Sequence, residues 1–257
     1  MIVVVMENKD YRQVIGVPEA PYINSLAEKY GIALNYRAIT HPSLPNYLAL
    51  LGGSTFDIRS NCTDCHVGAP SLVSRLEEAG ISWKAYLEGL PSPCSRDALV
   101  GRYAKKHNPF MYFDDILSDQ SRCSKVVPLT ELDRDLKADS LPRFVWITPD
   151  LCHDMHDCTV AEGDAFLKGL IPHLLPTLEP SGVLFLTWDE SSMESGQDGG
   201  RVATIVAGPT VHGGFRSKVR YSHYSLLHTI EESWGLPSVV RSPCACTLSM
   251  RAFFESG

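Results

Sequence analysis

Four nearly continuous apolar runs limit what this chain can become: IVVVM at 2–6, RFVWIT at 143–148, GVLFLTW at 182–188 and VATIVAG at 202–208. A strand with one wet face alternates apolar and polar side chains, and these runs do not. They describe strands covered on both faces, which is the mark of a mainly parallel sheet wound by crossover helices. Helical spacing between the runs agrees. It predicts helices at 22–30, 47–51, 70–79, 129–137 and 161–178, a last amphipathic one near 223–234, and a further strand at 32–38. The expected fold is α/β, a doubly wound, mainly parallel sheet with helices on both faces. No repeat, low-complexity tract or linker interrupts the 257 residues, of which 44% are hydrophobic, so one domain spanning 1–257 is expected.

Ligands of such sheets sit beyond the carboxyl ends of the strands, so the residues just past each run are the candidates for a site. Glu7-Asn8 comes after the first, and Thr40-His41-Pro42-Ser43-Leu44-Pro45-Asn46 after the second strand. PDLCHDMHDC at 149–158, Asp189-Glu190, and Pro209 with the later YSHYS at 221–225 come after the others. Each has a bland reading: Asn at a strand end is ordinary turn chemistry, and Ser43 fits a helix cap. His107 and His223, taken singly, read as surface or helix-capping residues. Together the segments converge on one sheet edge. Acids placed after two separate buried strands, Glu7 on one and Asp189 and Glu190 on the other, repel unless a divalent cation lies between them. Glu7, Asn8, Asp189 and Glu190 are therefore candidate ligands, and oxygen donors favour Ca²⁺ or Mg²⁺, with Mn²⁺ and Zn²⁺ as alternatives. Ser43, stiffened by Pro42 and Pro45 and flanked by His41 and Asn46, becomes a candidate nucleophile activated by that cation. The helix beginning just after it offers N–H groups to phosphate oxygens. His153 and His156 lie among Asp150, Asp154 and Asp157, which can orient their imidazoles.

A net charge of −7 excludes a general nucleic-acid binder, and no run reaches the length of a membrane span. Eight cysteines, even in number and placed in loop-like sequence, predict disulfides and an extracytoplasmic or secreted protein. Cys152 and Cys158 would clasp the histidine loop. A cytosolic protein with reduced thiols is the alternative. No signal peptide is visible, and a core strand starting at once reads as a trimmed mature domain with an added Met. CTDCH at 62–66 matches a c-type haem attachment pattern, but the surrounding pattern offers no haem pocket. A zinc site from Cys62, Cys65, Cys244 and Cys246 departs from the usual ligand spacing. The aromatic segment FMYFDD at 110–115 reads as core, with a leaving-group pocket as the other option.

ENKDY at 7–11, THPSLPNYLALLGG at 40–53, PDLCHDMHD at 149–157, WDE at 188–190 and YSHYSLLHTIEESWGL at 221–236 occur in one order along nearly the whole chain. Jointly they resemble the phosphoesterase family of bacterial acid phosphatases and non-specific phospholipases C, within the alkaline-phosphatase-like superfamily. The resemblance implies a divalent metal on Glu7, Asn8, Asp189 and Glu190, and a nucleophile, Ser43, that also contacts it. It implies further that Asn46 holds a phosphoryl oxygen and that His153 and His156 lie near the scissile phosphate. His107 and His223 match motif positions as well, and with His41 they are expected on the substrate. Phospholipase C members often carry Asp-Glu-His-Gly-Gly where this chain has DESSM, 189–193. The expected function is a metal-dependent phosphomonoesterase acting through a phosphoserine on Ser43. A phospholipase C, a non-catalytic binding module on the same scaffold and a purely structural disulfide-stapled protein are the rivals.

Overall fold

The computed structural model describes residues 1–192, 198–239 and 247–254. The first apolar run forms β1 (Ile2–Met6). After it come α1 (Tyr11–Val14), α2 (Pro21–Lys29), β2 (Gly31–Ala33), β3 (Tyr36–Arg37), α3 (Ser43–Gly52) and α4 (Leu72–Glu78). The middle of the chain holds β4 (Trp83–Leu87), β5 (Leu99–Val100), β6 (Tyr103–Ala104), α5 (Asp114–Leu117), α6 (Gln120–Cys123), β7 (Val126–Pro128) and α7 (Glu131–Lys137). Then come β8 (Phe144–Thr148), α8 (Val160–Leu174), β9 (Leu184–Trp188), β10 (Arg201–Val202), β11 (Thr204–Ala207), β12 (Arg216–Ser217), β13 (Tyr221–Ser222) and α9 (His223–Trp234).

Eight strands form the main sheet in the order β12-β2-β11-β9-β1-β8-β4-β7. β1 runs parallel to both β8 and β9, and β4 parallel to β8 and β7. Every residue of β1, β8 and β9 is buried, as continuous apolar runs require. Two separate helix pairs, α2 with α8 and α3 with α9, supply the cover.

Three expectations are corrected. The strand at 32–38 is two strands, because β3 leaves the main sheet to pair with β10 and β13 in a small sheet. The run at 202–208 divides likewise into β10 and β11, and β11 runs antiparallel to β9 and β2. Its end at Pro209 therefore lies at the edge opposite the other strand ends, and Thr204 takes the place expected for it. Third, β4 and β7 were not expected. WKAYL places Lys84 mid-strand, where the ammonium reaches Asp135 at 2.6 Å, and the Tyr86 hydroxyl donates to the same carboxylate at 2.6 Å.

α3 begins at Ser43, four residues earlier than the sequence suggests. Pro45 falls in the first turn, where its missing N–H leaves no bond unmade. All ten residues of α3 are buried. Gly53 ends the helix with φ of 70°, and a Cβ on Gly52 would stand 2.6 Å from the Phe113 ring, which explains the terminal Gly-Gly. Phe110, Met111, Tyr112 and Phe113 are wholly buried, so the aromatic segment is core. Disulfides join Cys62 to Cys65, Cys94 to Cys123 and Cys152 to Cys158. The CTDCH sulfurs are thus bonded to each other, and Cys244 and Cys246 lie outside the described residues. Among those residues no helix is long and apolar enough to cross a membrane.

Candidate active site

β1 and β9 are neighbours, and their register sets Met6 beside Trp188. The next residues, Glu7 and Asp189, therefore leave the sheet side by side. The Asp189 N–H donates to the Met6 carbonyl at 2.9 Å, and the Asn8 N–H to Asp189 Oδ1 at 3.0 Å. Ser43, the first residue of α3, places its Oγ 3.0 Å from Glu7 Oε2 and 3.1 Å from Glu190 Oε1. Glu7 and Asp189 are 0% exposed, Ser43 1% and Glu190 4%. A hydroxyl has one proton, so it serves one carboxylate at a time and both carboxylates stand ready to receive that proton.

Asn46 fixes the loop before the serine. Its Oδ1 accepts from the Ile39 and Thr40 N–H groups at 2.9 and 3.2 Å, and its Nδ2 donates to the Thr40 and Pro42 carbonyls at 2.8 and 3.2 Å. These bonds use the full capacity of the amide, so the structure presents Asn46 as the brace of the Ser43 loop. The Leu44 N–H at the helix start is likewise taken, by Asn61 Oδ1 at 3.0 Å. On the other side the loop lies against Gly199, where a Cβ would come within 2.6 Å of the Thr40 carbonyl oxygen. Asn46→Ala should lower stability by about 2–4 kcal/mol at roughly 1 kcal/mol per lost bond, read as a drop in the midpoint of thermal unfolding. A midpoint unchanged within error would show that the amide bonds carry no stability.

Charge is unevenly balanced here. His107 is buried with Nε2 3.2 Å from Glu7 Oε2 and Nδ1 3.2 Å from Asp154 Oδ2, its ring stacked on Tyr47 at 5.5 Å. Burial alone would lower its pKa, but the Glu7 charge and contacts with both carboxylates raise it to about 9. Burial likewise raises Glu7, and the His107 charge outweighs it, so Glu7 is held ionised below the usual range. Asp189 has no such relief: burial, then Glu7 and Glu190, push it well above the ordinary carboxyl value. Glu190 is raised by burial and by Glu7, against the pull of His41, whose Nδ1 lies 2.5 Å from Glu190 Oε2.

Among the described residues Asp189 Oδ2 is buried with no hydrogen-bond partner, and Glu7 Oε1 has none but a loose contact with the Tyr47 hydroxyl, a costly condition for carboxylate oxygens. Two acids with such oxygens and a third beside them, set around a buried hydroxyl, fit a hard divalent cation. Among the described residues, however, the acid and histidine groups whose ligand atoms all approach within 4.8 Å are different ones. They are Glu7–His107–His156, Glu88–Asp150–His153, and Cys152–Cys158–Glu162, whose sulfurs are bonded to each other. Glu7 and Glu190 flank Ser43 and Asp189 stands beside them, and the three do not meet at one point.

The remaining histidines separate. His156 has Nδ1 2.6 Å from Asp157 Oδ1 and Nε2 2.9 Å from Lys106 Nζ, with its ring 5.6 Å from that of His107. His153 instead has Nδ1 2.9 Å from both Glu88 oxygens and its ring stacked on Phe166 at 4.7 Å. His223 is buried, not a surface residue. Its Nε2–H donates to the Asp189 carbonyl at 2.5 Å, and Nδ1 accepts from the Tyr36 hydroxyl at 3.1 Å. Burial lowers its pKa to about 4, so the ring is neutral and holds the Asp189 backbone. Lys106, Glu88 and Tyr47 were missed from sequence. Glu88 directly follows β4, so the strand-end rule would have found it had that strand been recognised.

Residues 17–237 match the model of the Phosphoesterase family. A phosphatidylinositol-3-phosphatase of Mycobacterium tuberculosis is 34% identical over 239 residues, covering 92% of this chain and 77% of its own length. A probable acid phosphatase of Kluyveromyces lactis is 32% identical over 257 residues and an acid phosphatase of Aspergillus fumigatus 29% over 257. The match covers 93% and 95% of this chain, but only 59% and 56% of those fungal proteins. Among solved structures, a protein in the alkaline phosphatase superfamily from Vibrio parahaemolyticus aligns with a TM-score of 0.61 at 13% identity, covering 92% of this chain and 66% of its own. A phosphonate monoester hydrolase of Agrobacterium radiobacter aligns at 0.63 and 11%, covering 98% and 76%. These likenesses establish the alkaline-phosphatase-like fold.

Proposed function

Since the chain belongs to the Phosphoesterase family and is a phosphoric ester hydrolase by that membership, we propose that it cleaves phosphate monoesters, with Ser43 as nucleophile and a divalent cation as cofactor. The observation that carries the reading is the Ser43 hydroxyl, buried at hydrogen-bond distance from two carboxylates that leave adjacent strands. The names of the relatives, acid phosphatases and a phosphatidylinositol phosphatase, support a monoester as substrate. The three disulfides among the described residues support an oxidising, extracytoplasmic setting.

Glu7, Asn8, Asp189 and Glu190 would hold the cation with Ser43 Oγ. When bound, such an ion lowers the pKa of the hydroxyl and neutralises charge on phosphoryl oxygens. In the first step the Ser43 proton passes to Glu7 or Glu190, the Oγ–P bond forms and the ester P–O bond breaks. The departing alkoxide takes a proton from the Lys106–His156 pair. Water then returns a proton to that pair as it attacks phosphorus, the P–Oγ bond breaks, the serine oxygen takes its proton back from the carboxylate and inorganic phosphate leaves. His107 holds Glu7 ionised until the serine proton arrives, and Asn46 and His223 hold the Ser43 loop and the Asp189 backbone in place.

The test compares p-nitrophenyl phosphate with bis-p-nitrophenyl phosphate on chelator-stripped protein, then with Ca²⁺, Mg²⁺, Mn²⁺ or Zn²⁺ restored singly. Stripping should lower monoester turnover by roughly a hundredfold or more, with restoration by at least one ion. Full turnover after verified removal of metal would sink the cofactor reading. Preference for the diester would replace the monoesterase by a phospholipase C type of enzyme.

A further inference from the structure

Among the described residues four large apolar side chains are exposed, and two are neighbours: Leu99 at 64% and Val100 at 39%. They constitute β5, which pairs only with β6 in a two-stranded sheet apart from the main one, Leu99 opposite Ala104 and Val100 opposite Tyr103. Every residue from Arg96 to Arg102, RDALVGR, is exposed, and Gly101 with φ of 56° turns the chain. The base of this hairpin is fixed. Cys94 is bonded to Cys123 and the Lys105 N–H donates to the Ala98 carbonyl at 3.0 Å, and the turn too is held, by the Leu151 N–H on the Arg102 carbonyl at 3.0 Å. Single exposed leucines are ordinary on protein surfaces, whereas here two apolar side chains stand exposed side by side on the strand just before the turn of a braced hairpin.

Their position and charge indicate a partner. β6 continues directly into Lys105, Lys106 and His107, so the turn at Gly101 is six residues, at most about 20 Å, from His107. Arg96 and Arg102 flank the apolar pair. Arg96 gives one N–H to the Leu117 carbonyl at 3.0 Å and keeps its other donors. Asp97 is the one acid of the segment, and its carboxylate accepts from the Ser95 hydroxyl at 2.5 Å. Two side chains are too few for a protein interface, which needs about 800 Å² per partner. They suffice for shallow, reversible seating in a lipid headgroup layer, with arginine stems lying along it and guanidinium groups at its anionic surface.

We propose that the 96–102 hairpin is an interfacial anchor: Leu99 and Val100 enter the headgroup region of an anionic bilayer while Arg96 and Arg102 pair with its charges. The active site is thereby held over phosphate esters displayed at a membrane surface. This rests on the phosphomonoesterase reading only for what the docked site then does.

Vesicle co-sedimentation tests it, using phosphatidylcholine vesicles with and without phosphatidylglycerol, and wild type beside the double variants Leu99→Asp/Val100→Asp and Arg96→Gln/Arg102→Gln. Wild type should bind the phosphatidylglycerol vesicles. The apolar variant should bind them roughly tenfold or more weakly, and the arginine variant should lose its preference for the anionic lipid. All three should hydrolyse soluble p-nitrophenyl phosphate alike, which shows an intact fold. Absence of wild-type binding to anionic vesicles overturns the proposal, as does equal binding by the apolar variant. So does light scattering that shows a dimer broken by that variant. Failure to hydrolyse the soluble ester would count against the function proposed above and leave the vesicle result standing by itself.

Discussion

Ser43→Ala should abolish phosphomonoester turnover, by about 10⁴-fold or more, while leaving the fold in place. The substitution removes one oxygen and leaves the Asn46 bonds, the Leu44–Asn61 bond and the apolar packing of the helix in place, so the thermal midpoint should move little. No second hydroxyl is at hydrogen-bond distance from both Glu7 and Glu190 among the described residues. Acid-quenched wild-type enzyme should carry a phosphoryl group on the peptide containing Ser43, detectable by mass, and the variant should not. Turnover within tenfold of wild type, with matched metal content, would mean that water attacks the ester directly and that Ser43 only binds.

Asp189→Asn should separate stability from activity. The Asp189 carboxyl is 0% exposed, has an orphaned Oδ2 and stands beside two further acids. Its ionisation in the absence of a cation is therefore paid for by the fold. Replacing it by a neutral amide should stabilise chelated protein by about 1–3 kcal/mol, and lower both metal retention and turnover, the latter about a thousandfold. The pH dependence has a definite sign. A carboxyl whose pKa is raised on folding contributes stability that is complete below its unfolded value and is lost as pH rises through the folded one. Chelated wild type should therefore melt lower at pH 8 than at pH 5, and Asp189→Asn should show a smaller difference. Bound cation should reverse the ranking, with wild type the more stable. If chelated wild type and variant melt together at both values, the buried charge is not the burden argued here.

The central strands were legible because β1, β8 and β9 are apolar at nearly every position, and such a run has few other places to go. β4 was not, since Lys84 breaks the run and its partner Asp135 lies on a helix 51 positions away. The direction of β11 was illegible for a different reason: a buried antiparallel strand and a buried parallel one have the same composition. The acids could be placed because they directly follow strands that prove to be neighbours. Histidine roles could not. Whether an imidazole carries a charge depends on which groups tertiary structure sets against it, Glu7 and Asp154 for His107, a carbonyl and a phenol for His223. Asn46 shows the same limit, since a residue three positions after a serine can face a ligand or turn back onto its own loop.

The Asn8–Asp189 bond links residues 181 positions apart, and Ser43 reaches Glu190 across 147. No short stretch of this chain holds a working site. A chain that ends before β9 contains Glu7, Ser43, Asn46 and His107 yet lacks Asp189 and Glu190, and with Glu190 one of the two carboxylates beside the hydroxyl. On the proposed reading of Ser43 as nucleophile, the hydroxyl should stay idle during synthesis and gain its second carboxylate only once β9, the last central strand, has docked.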